Sequence, residues 1–299
     1  MSTDAVVIWG ELLWDRFPPE RGGDQLGGAP ANVAWHLAQA GGWARLVSRV
    51  GDDADGRRAL DRLDGLVDTS LVQVDSERAT GVVTIDLDLQ RGEPRYTLHA
   101  GRAWERIACS PAALTAIAEA GVFVYGTLAQ RTPDGLAAWQ RAVAAAGAAR
   151  AIRVYDANLR PNDRAAHAVA EALGHADVIK LNDREVGQLR ALLGWDDPVA
   201  ELRARRPRIV VVTHGAAGST IHPLDGPAIE VPGAAAPPGG DNVGCGDAYL
   251  ALLVFGMTSG WDLATSGRLA GRWAAAVAGV RGATPLFDDD QIAALLETG

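Results

Sequence analysis

Short, nearly uninterrupted apolar runs alternate with helix-length amphipathic segments along most of this 299-residue chain, and no other feature limits its fold as much. The runs at 5–9, 44–50, 122–125, 152–155, 178–180 and 209–213 are rich in Val, Ile, Leu and aromatic residues. Between and beyond them, apolar positions recur with helical spacing at 31–40, 55–63, 133–146, 165–173 and 185–193. A strand that is apolar on both sides must be covered on both faces. The pattern therefore predicts an α/β fold: a mostly parallel sheet with helices on both faces.

One region departs from this rhythm. Residues 83–89 (Val-Thr-Ile-Asp-Leu-Asp-Leu) alternate apolar and polar, the period of a strand exposed on one face. A turn at 90–93 leads into 94–99, where Tyr96 and Leu98 alternate with Arg95, Thr97 and His99, so a hairpin is expected. With the segment around 12–17 it would form a small sheet, or lid, over the C-terminal ends of the main strands, where open α/β sheets bind ligands. A plain edge hairpin of the main sheet fits the same pattern. Without internal repeats, low-complexity linkers or a domain boundary, the chain reads as one domain, 1–299, with a β-lid from about 11–25 and 80–101.

Function is most legible at Gly239-Gly240-Asp241-Asn242-Val243-Gly244-Cys245-Gly246-Asp247-Ala248. Glycines at 244 and 246 permit approaches that a Cβ would block, so consecutive N–H groups can converge on one phosphate oxygen. Residues 248–255 are apolar all round, which predicts a buried helix whose positive N-terminal end is held on one spot. Asp247 is then either an ordinary first-turn carboxylate or a base at the lip of an anion cradle. A dinucleotide fingerprint fails for want of a third glycine, and the chain contains no Gly-Lys-Ser/Thr, no Gly-x-Ser-x-Gly and no His-Glu-x-x-His.

Composition removes several function classes. A net charge of −9 argues against nucleic-acid partners, and two cysteines, Cys109 and Cys245, cannot build a disulfide framework or a thiolate zinc site. No uninterrupted apolar run has the length of a membrane span, and the first residues lack the basic start of a signal peptide. The expectation is a cytoplasmic protein with small-molecule partners, bound to neither nucleic acid nor membrane.

Taken together, several stretches resemble the ribokinase-like (PfkB) carbohydrate kinases, most of all their fructokinase-like members. The bend at 241–247 is similar to the signature Asp-Thr-x-Gly-Ala-Gly-Asp, with Asn242 in place of threonine and Cys245 in place of alanine. Gly27-Gly28-Ala29-Pro30-Ala31-Asn32-Val33-Ala34 resembles the first family signature, and Gly10-Glu11-Leu12-Leu13-Trp14-Asp15 the strand before it. Asp156-Ala157-Asn158-Leu159-Arg160 resembles the Asp-x-Asn-x-Arg segment, and Lys180-Leu181-Asn182-Asp183-Arg184-Glu185 the Asn-x-x-Glu segment. Residues 211–218 resemble the nucleotide-side strand and turn.

The resemblance implies a ribokinase-like fold with a β-lid and an ATP-dependent kinase acting on the primary hydroxyl of a sugar. A ketohexose such as fructose leads; 2-keto-3-deoxygluconate, ribose or a nucleoside are alternatives, as is a non-catalytic sugar- or nucleotide-binding regulator. It also implies residue roles. Amides of Gly244, Cys245 and Gly246 would stabilise the moving phosphoryl group while Asp247 takes the acceptor's proton. Asp15 and Asn32 would bind sugar hydroxyls, the alternative being a turn residue and a first-turn helix polar group; Gly27 and Gly28 would let the substrate reach the backbone, and Arg102 and Trp104 are candidates for substrate contact or for ordinary packing.

On the nucleotide side the resemblance points to Asn158, Arg160, Lys180, Asn182, Glu185, Thr213, Gly215 and Gly218. Asn182 and Glu185 would organise Mg²⁺ largely through water, and Asp241 with carbonyls near Val243 and Val280 to Gly282 would hold a monovalent cation such as K⁺. Two copies would pair through the lid. Lys180, the chain's single lysine, is expected to point from a strand end into the cleft, the alternative being a surface lysine. Arg160 could meet phosphate or pair with Asp156. Cys245, at a helix N-terminus, is expected to be a reactive low-pKa thiol if solvent reaches it, and inert if buried.

Overall fold

A computed structural model describes residues 5–19, 22–88, 93–159, 166–205, 209–223 and 225–298. The apolar runs form the middle of an eight-stranded sheet. Its strands are β1 (Val6–Trp9), β4 (Ala44–Val47), β9 (Val122–Gly126), β10 (Ile152–Asp156), β11 (Val178–Asn182), β12 (Ile209–Thr213), β13 (Gly218–Pro223) and β14 (Ile229–Pro232), in the order β14-β13-β12-β11-β10-β9-β1-β4. The six strands from β12 to β4 are parallel, while β13 and β14 add an antiparallel edge. The run at 44–50 divides at Ser48, after which Arg49–Gly51 pairs in parallel with Gln73–Asp75 in a separate two-stranded sheet.

Alternate strand residues feed two cores. Val6, Ile8, Val154 and Val211 pack on one face with α1 (Ala29–Gln39), α2 (Ala54–Leu63), α8 (Cys245–Thr258) and α9 (Leu263–Ala278). Val7, Trp9, Tyr155 and Val210 pack on the other with α3 (Pro111–Glu119), α4 (Pro133–Ala148), α5 (Ala166–His175), α6 (Asp183–Leu193) and α7 (Pro198–Arg203). This is the expected architecture, and the alternation of the two sides along each strand is its cause. The sequence reading did not anticipate α3, α7, α9, the final helix α10 (Asp289–Leu296) or the strands β13 and β14 as elements. Pro30 in the first turn sets the start of α1, two residues earlier than its apolar spacing suggested.

The hairpin is not an edge of the main sheet. Strands β2 (Leu13–Arg16), β3 (Asp24–Gly27), β7 (Gly81–Asp88) and β8 (Glu93–Leu98) form a separate sheet ordered β3-β2-β7-β8. Most of the turn expected at 90–93 lies outside the described residues. Leu13, Val83 and Ile85, with Phe17 and Leu98 against them, give this sheet a small core of its own. Its other face is tied to α2: Arg58 stacks over Trp14 at 3.9 Å and pairs with Asp24 at 2.6 Å, and Arg16 pairs with Asp55. Among the described residues no helix is long and apolar enough to cross a membrane.

Candidate active site

The chain leaves β1 to one side, toward β4, and later returns to its other side at β9, so the C-terminal ends of β1 and β9 border the topological switch point of the sheet. Open α/β sheets bind ligands at such a point. A cavity lies there, lined by Glu11, Pro30, Gly126, Thr127, Asp156 and Asn158 among others. Of the residues singled out in sequence, Asn158 is among those lining it; Lys180, Asn182 and Thr213 lie at the C-terminal ends of β11 and β12, and Asp247 lies in the first turn of α8.

The anion bend is built as the glycine spacing predicted. Gly244 has φ 75°, a left-handed conformation, and a Cβ on it would lie 2.6 Å from that of Ala283. Helix α8 begins at Cys245, and Asp247 in its first turn is 8% exposed. The neighbouring helix α1 carries Asn32, whose Nδ2 donates to Asp247 Oδ2 at 2.8 Å, and whose Oδ1 is buried with no partner among the described residues. The helix proposed to hold the sugar and the helix proposed to hold the anion thus meet at Asn32 and Asp247.

Asp15 joins them through the first glycine pair. A side chain on Gly27 would collide with Asp15 Oδ2, and one on Gly28, where φ is 100°, would collide with the Glu11 carbonyl oxygen. Trp104 is 2% exposed and packs against Gly81 at the root of the small sheet, which is the packing role weighed for it beside substrate contact. Arg102 is half-buried, and its Nε has no partner among the described residues.

On the other side of the bend the structure departs further from the sequence reading. Lys180 is not open to the cleft. Its side chain is 5% exposed, its Nζ donates to Asp156 Oδ1 at 3.0 Å, and a Cβ on Gly246 would lie 2.9 Å from that Nζ. Burial works against the ammonium, but Asp156, Glu185 and Asp247 outweigh it and raise its pKa. The ion pair weighed for Arg160 with Asp156 is therefore taken by Lys180; Arg160 itself lies outside the described residues.

Asn182 and Glu185 close a capping box at the start of α6. Asn182 Oδ1 accepts from the Glu185 amide at 2.9 Å, and Glu185 Oε2 accepts from the Asn182 amide at 2.8 Å. Glu185 is buried rather than solvated, and burial raises its pKa against the opposing pull of Lys180. Asn158 has φ 36°, in the left-handed region that asparagine tolerates better than most residues. Thr213 Oγ1 donates to the Leu181 carbonyl at 3.3 Å, which ties neighbouring strand ends. Gly215 and Gly218 shape the turn from β12 into β13; a side chain on Gly218 would strike the Val231 carbonyl.

Two loop residues also differ from expectation or acquire a structural role. Burial, followed by the charges of Asp241 and Asp247, pushes the Cys245 thiol up to about 11, so the helix N-terminus does not make it a low-pKa nucleophile. The Asp241 carboxylate accepts from the Val243 amide at 3.0 Å and the Gly282 amide at 3.3 Å, and the Asp241 amide donates to the Val280 carbonyl at 3.1 Å. It stitches the bend to the segment after α9. Sequence reasoning passed over Glu11, Gly126, Thr127 and Asp156 as cavity residues; their signal is position, each ending or following a parallel strand.

Residues 18–290 match the family described as pfkB family carbohydrate kinase. The fructokinase of Klebsiella pneumoniae is 31% identical over 274 residues, covering 85% of this chain and 84% of that protein. Fructokinase-1 of Oryza sativa subsp. japonica is 28% identical over 277 residues, covering 84% and 82%. Among solved structures, fructokinase with bound ATP from Xylella fastidiosa superposes with a TM-score of 0.86 at 23% identity over 97% of both chains. A Burkholderia thailandensis nucleoside kinase in complex with inosine does so with a TM-score of 0.78 at 23% identity over 98% of both. The structural likenesses establish the fold. Because the family match runs through almost the whole length, from the small sheet to the last helix, this chain belongs to the pfkB family of carbohydrate kinases.

Proposed function

We propose that the protein transfers the γ-phosphoryl group of ATP to the primary hydroxyl of a sugar, a ketohexose such as fructose, with Asp247 as the base. The observation that carries this reading is the meeting of α1 and α8: a bend with two glycines, a first-turn carboxylate beside it, and Asn32 holding that carboxylate at 2.8 Å. A sugar hydroxyl held by Asp15 and the free Oδ1 of Asn32 would lie next to the base. The kinase family supports the direction of transfer, and the contact between Asn32 and Asp247 supports an acceptor side next to the base.

Phosphoryl transfer has a loose transition state in most analyses, so the protein's work is placement and charge stabilisation. The amides of Gly244, Cys245 and Gly246 stabilise the transferring group, with the N-terminal end of α8 behind them. Asp247 accepts the hydroxyl proton as the new oxygen–phosphorus bond forms. Asn32 keeps the Asp247 carboxylate turned toward the acceptor.

The donor set suits Mg²⁺ that arrives with its nucleotide: Glu185 offers a buried carboxylate, and among the described residues no group of three or more His, Cys, Asp or Glu forms a cage. When bound, the ion neutralises phosphate charge, and Asn182 and Glu185 would orient its water shell. The Asp241 stitch between Val243 and Gly282 supports a K⁺ site among the carbonyls of those two segments. Tyr96, 56% exposed on β8, supports pairing of two copies through the small sheet.

The test is ADP release with ATP and Mg²⁺ against fructose, ribose, 2-keto-3-deoxygluconate and a set of nucleosides. Fructose is expected to show the highest kcat/KM. Turnover of another acceptor in preference overturns the ketohexose assignment alone, and silence with every acceptor overturns the kinase reading.

A further inference from the structure

Lys180 is the only lysine in the chain, and it is buried directly behind the anion bend. Its Nζ faces Gly246 so closely that a Cβ there would lie 2.9 Å away, and it donates to Asp156 Oδ1 at 3.0 Å. The side chain is 5% exposed, with Gly246 packed against its ammonium. The charges around it are unbalanced. Asp156, Glu185 and Asp247 all act on this one cation.

That imbalance matters for the reaction. Without Lys180, the amides of the bend would be backed by carboxylates at the moment an anion arrives in front of them. In a buried site such repulsion is screened far less than in water. Among the described residues, the hydrogen bond to Asp156 ties the Lys180 ammonium to a strand end, and Asp156 ends β10 in register with Lys180 on β11. The cation is thereby referenced to the rigid sheet, while Gly246 and Asp247, which it supports, lie in the first turn of α8.

Building on the kinase reading, we propose that Lys180 is a positioning residue: anchored by Asp156, it holds the Gly246 bend and the Asp247 carboxylate in their relative places from behind, without touching the nucleotide. Lys180 acts through those two groups. A shift of about 1 Å in a phosphate cradle is enough to cost about 100-fold in rate.

The experiment measures kcat, KM for ATP and ATP affinity by calorimetry for K180M, K180R, D156N and D156N/K180M. Wild-type ADP release with a sugar is established first, so that a failure of the kinase reading is seen separately. K180M is expected to lower kcat about 100-fold while KM and affinity for ATP stay within about threefold, and K180R, which keeps the charge, to recover at least about tenfold of that loss. If K180M does not fold, the comparison of D156N/K180M with D156N decides, since removing both members of a buried pair spares stability; a similar fall in kcat is expected there. A weakened ATP affinity with kcat preserved would show that Lys180 contacts the nucleotide directly and overturn the proposal. So would kcat within about threefold of the reference in the variants that fold, which would leave the pair a purely structural one.

Discussion

Strands β10 and β11 carry a buried pair of opposite charges near each end, and the two pairs are built differently. At the N-terminal end, Arg153 donates to Asp177 through Nε at 2.9 Å, Nη2 at 3.0 Å and its own backbone N–H at 3.0 Å, using both carboxylate oxygens. At the C-terminal end, Lys180 donates to Asp156 through one bond, and Asp156 Oδ2 is buried without a partner among the described residues. The first pair shares three hydrogen bonds; the second shares one and stands beside Glu185, Asp247 and the cavity. Parallel strands present their C-terminal ends to the ligand crevice, and that end is where an unsaturated charge can be put to use. The comparison teaches that two equally buried pairs can differ in how many hydrogen bonds they share and in which end of the sheet they serve.

The largest effect should come from the working end. D247N is expected to lower kcat by about three orders of magnitude with a modest change in KM for the sugar, whereas D177N should leave kcat per folded molecule unchanged. Equal activity losses in the two variants, read by steady-state kinetics on folded protein, would erase the distinction.

The closed pair should instead govern stability. R153M removes both side-chain hydrogen bonds from Arg153 to the buried Asp177 and is expected to cost about 3–5 kcal/mol in urea unfolding, most of it recovered in R153M/D177L. A loss of kcat without a loss of stability in R153M would reverse the assignment of the two ends.

A third buried titratable group sharpens the contrast because it avoids charge altogether. Trp273 Nε1 donates to His36 Nδ1 at 3.2 Å, so His36 Nε2 carries the proton and donates to the Ala283 carbonyl at 2.8 Å. Burial lowers its pKa from 6.5 to about 4, against the opposing effect of that carbonyl bond. The unfolded chain takes up this proton near pH 6.5 and the folded chain only near 4. Stability is therefore complete above 6.5 and declines as pH falls from 6.5 through 4, by on the order of 3 kcal/mol. Urea midpoints across that range should lose this component in H36Q; an unchanged slope would show that His36 is not the group titrating.

The smallest effect belongs to the exposed pairs that tie the small sheet to α2. Arg58 is 48% exposed, and R58A is expected to cost about 0.5–1 kcal/mol through its stack on Trp14 and its contact with Asp24, with the ionic part fading in high salt. A loss comparable to that of R153M would mean that the small sheet depends on this tether.

Much of this architecture was readable beforehand because its cause is local. Apolar runs such as 122–125 and 152–155 report a sheet covered on both faces, and the all-apolar stretch after Asp247 reports a buried helix. The alternation at 83–89 marked a one-sided strand, although pattern alone could not assign it to a second sheet rather than to an edge. Strands β13 and β14 escaped notice because the first was read only as a ligand turn, and its antiparallel pairing with β12 is long-range. For Cys245 the helix N-terminus was visible in sequence, but the burial and the two aspartates that reverse its effect on the thiol come from the folded loop.

The amino-acid sequence by itself determined the order of strands and helices, the glycine bend with its carboxylate, and the family to which they belong, since each is encoded in contiguous residues whose torsional freedom and polarity act over a few positions. Tertiary structure alone decided that Asn32 holds Asp247, that Lys180 is buried against Gly246 and Asp156, and that Trp104 is core. Those outcomes depend on which side chains from distant segments share a small volume of low dielectric, where one neighbouring charge or one excluded methyl group outweighs every local preference.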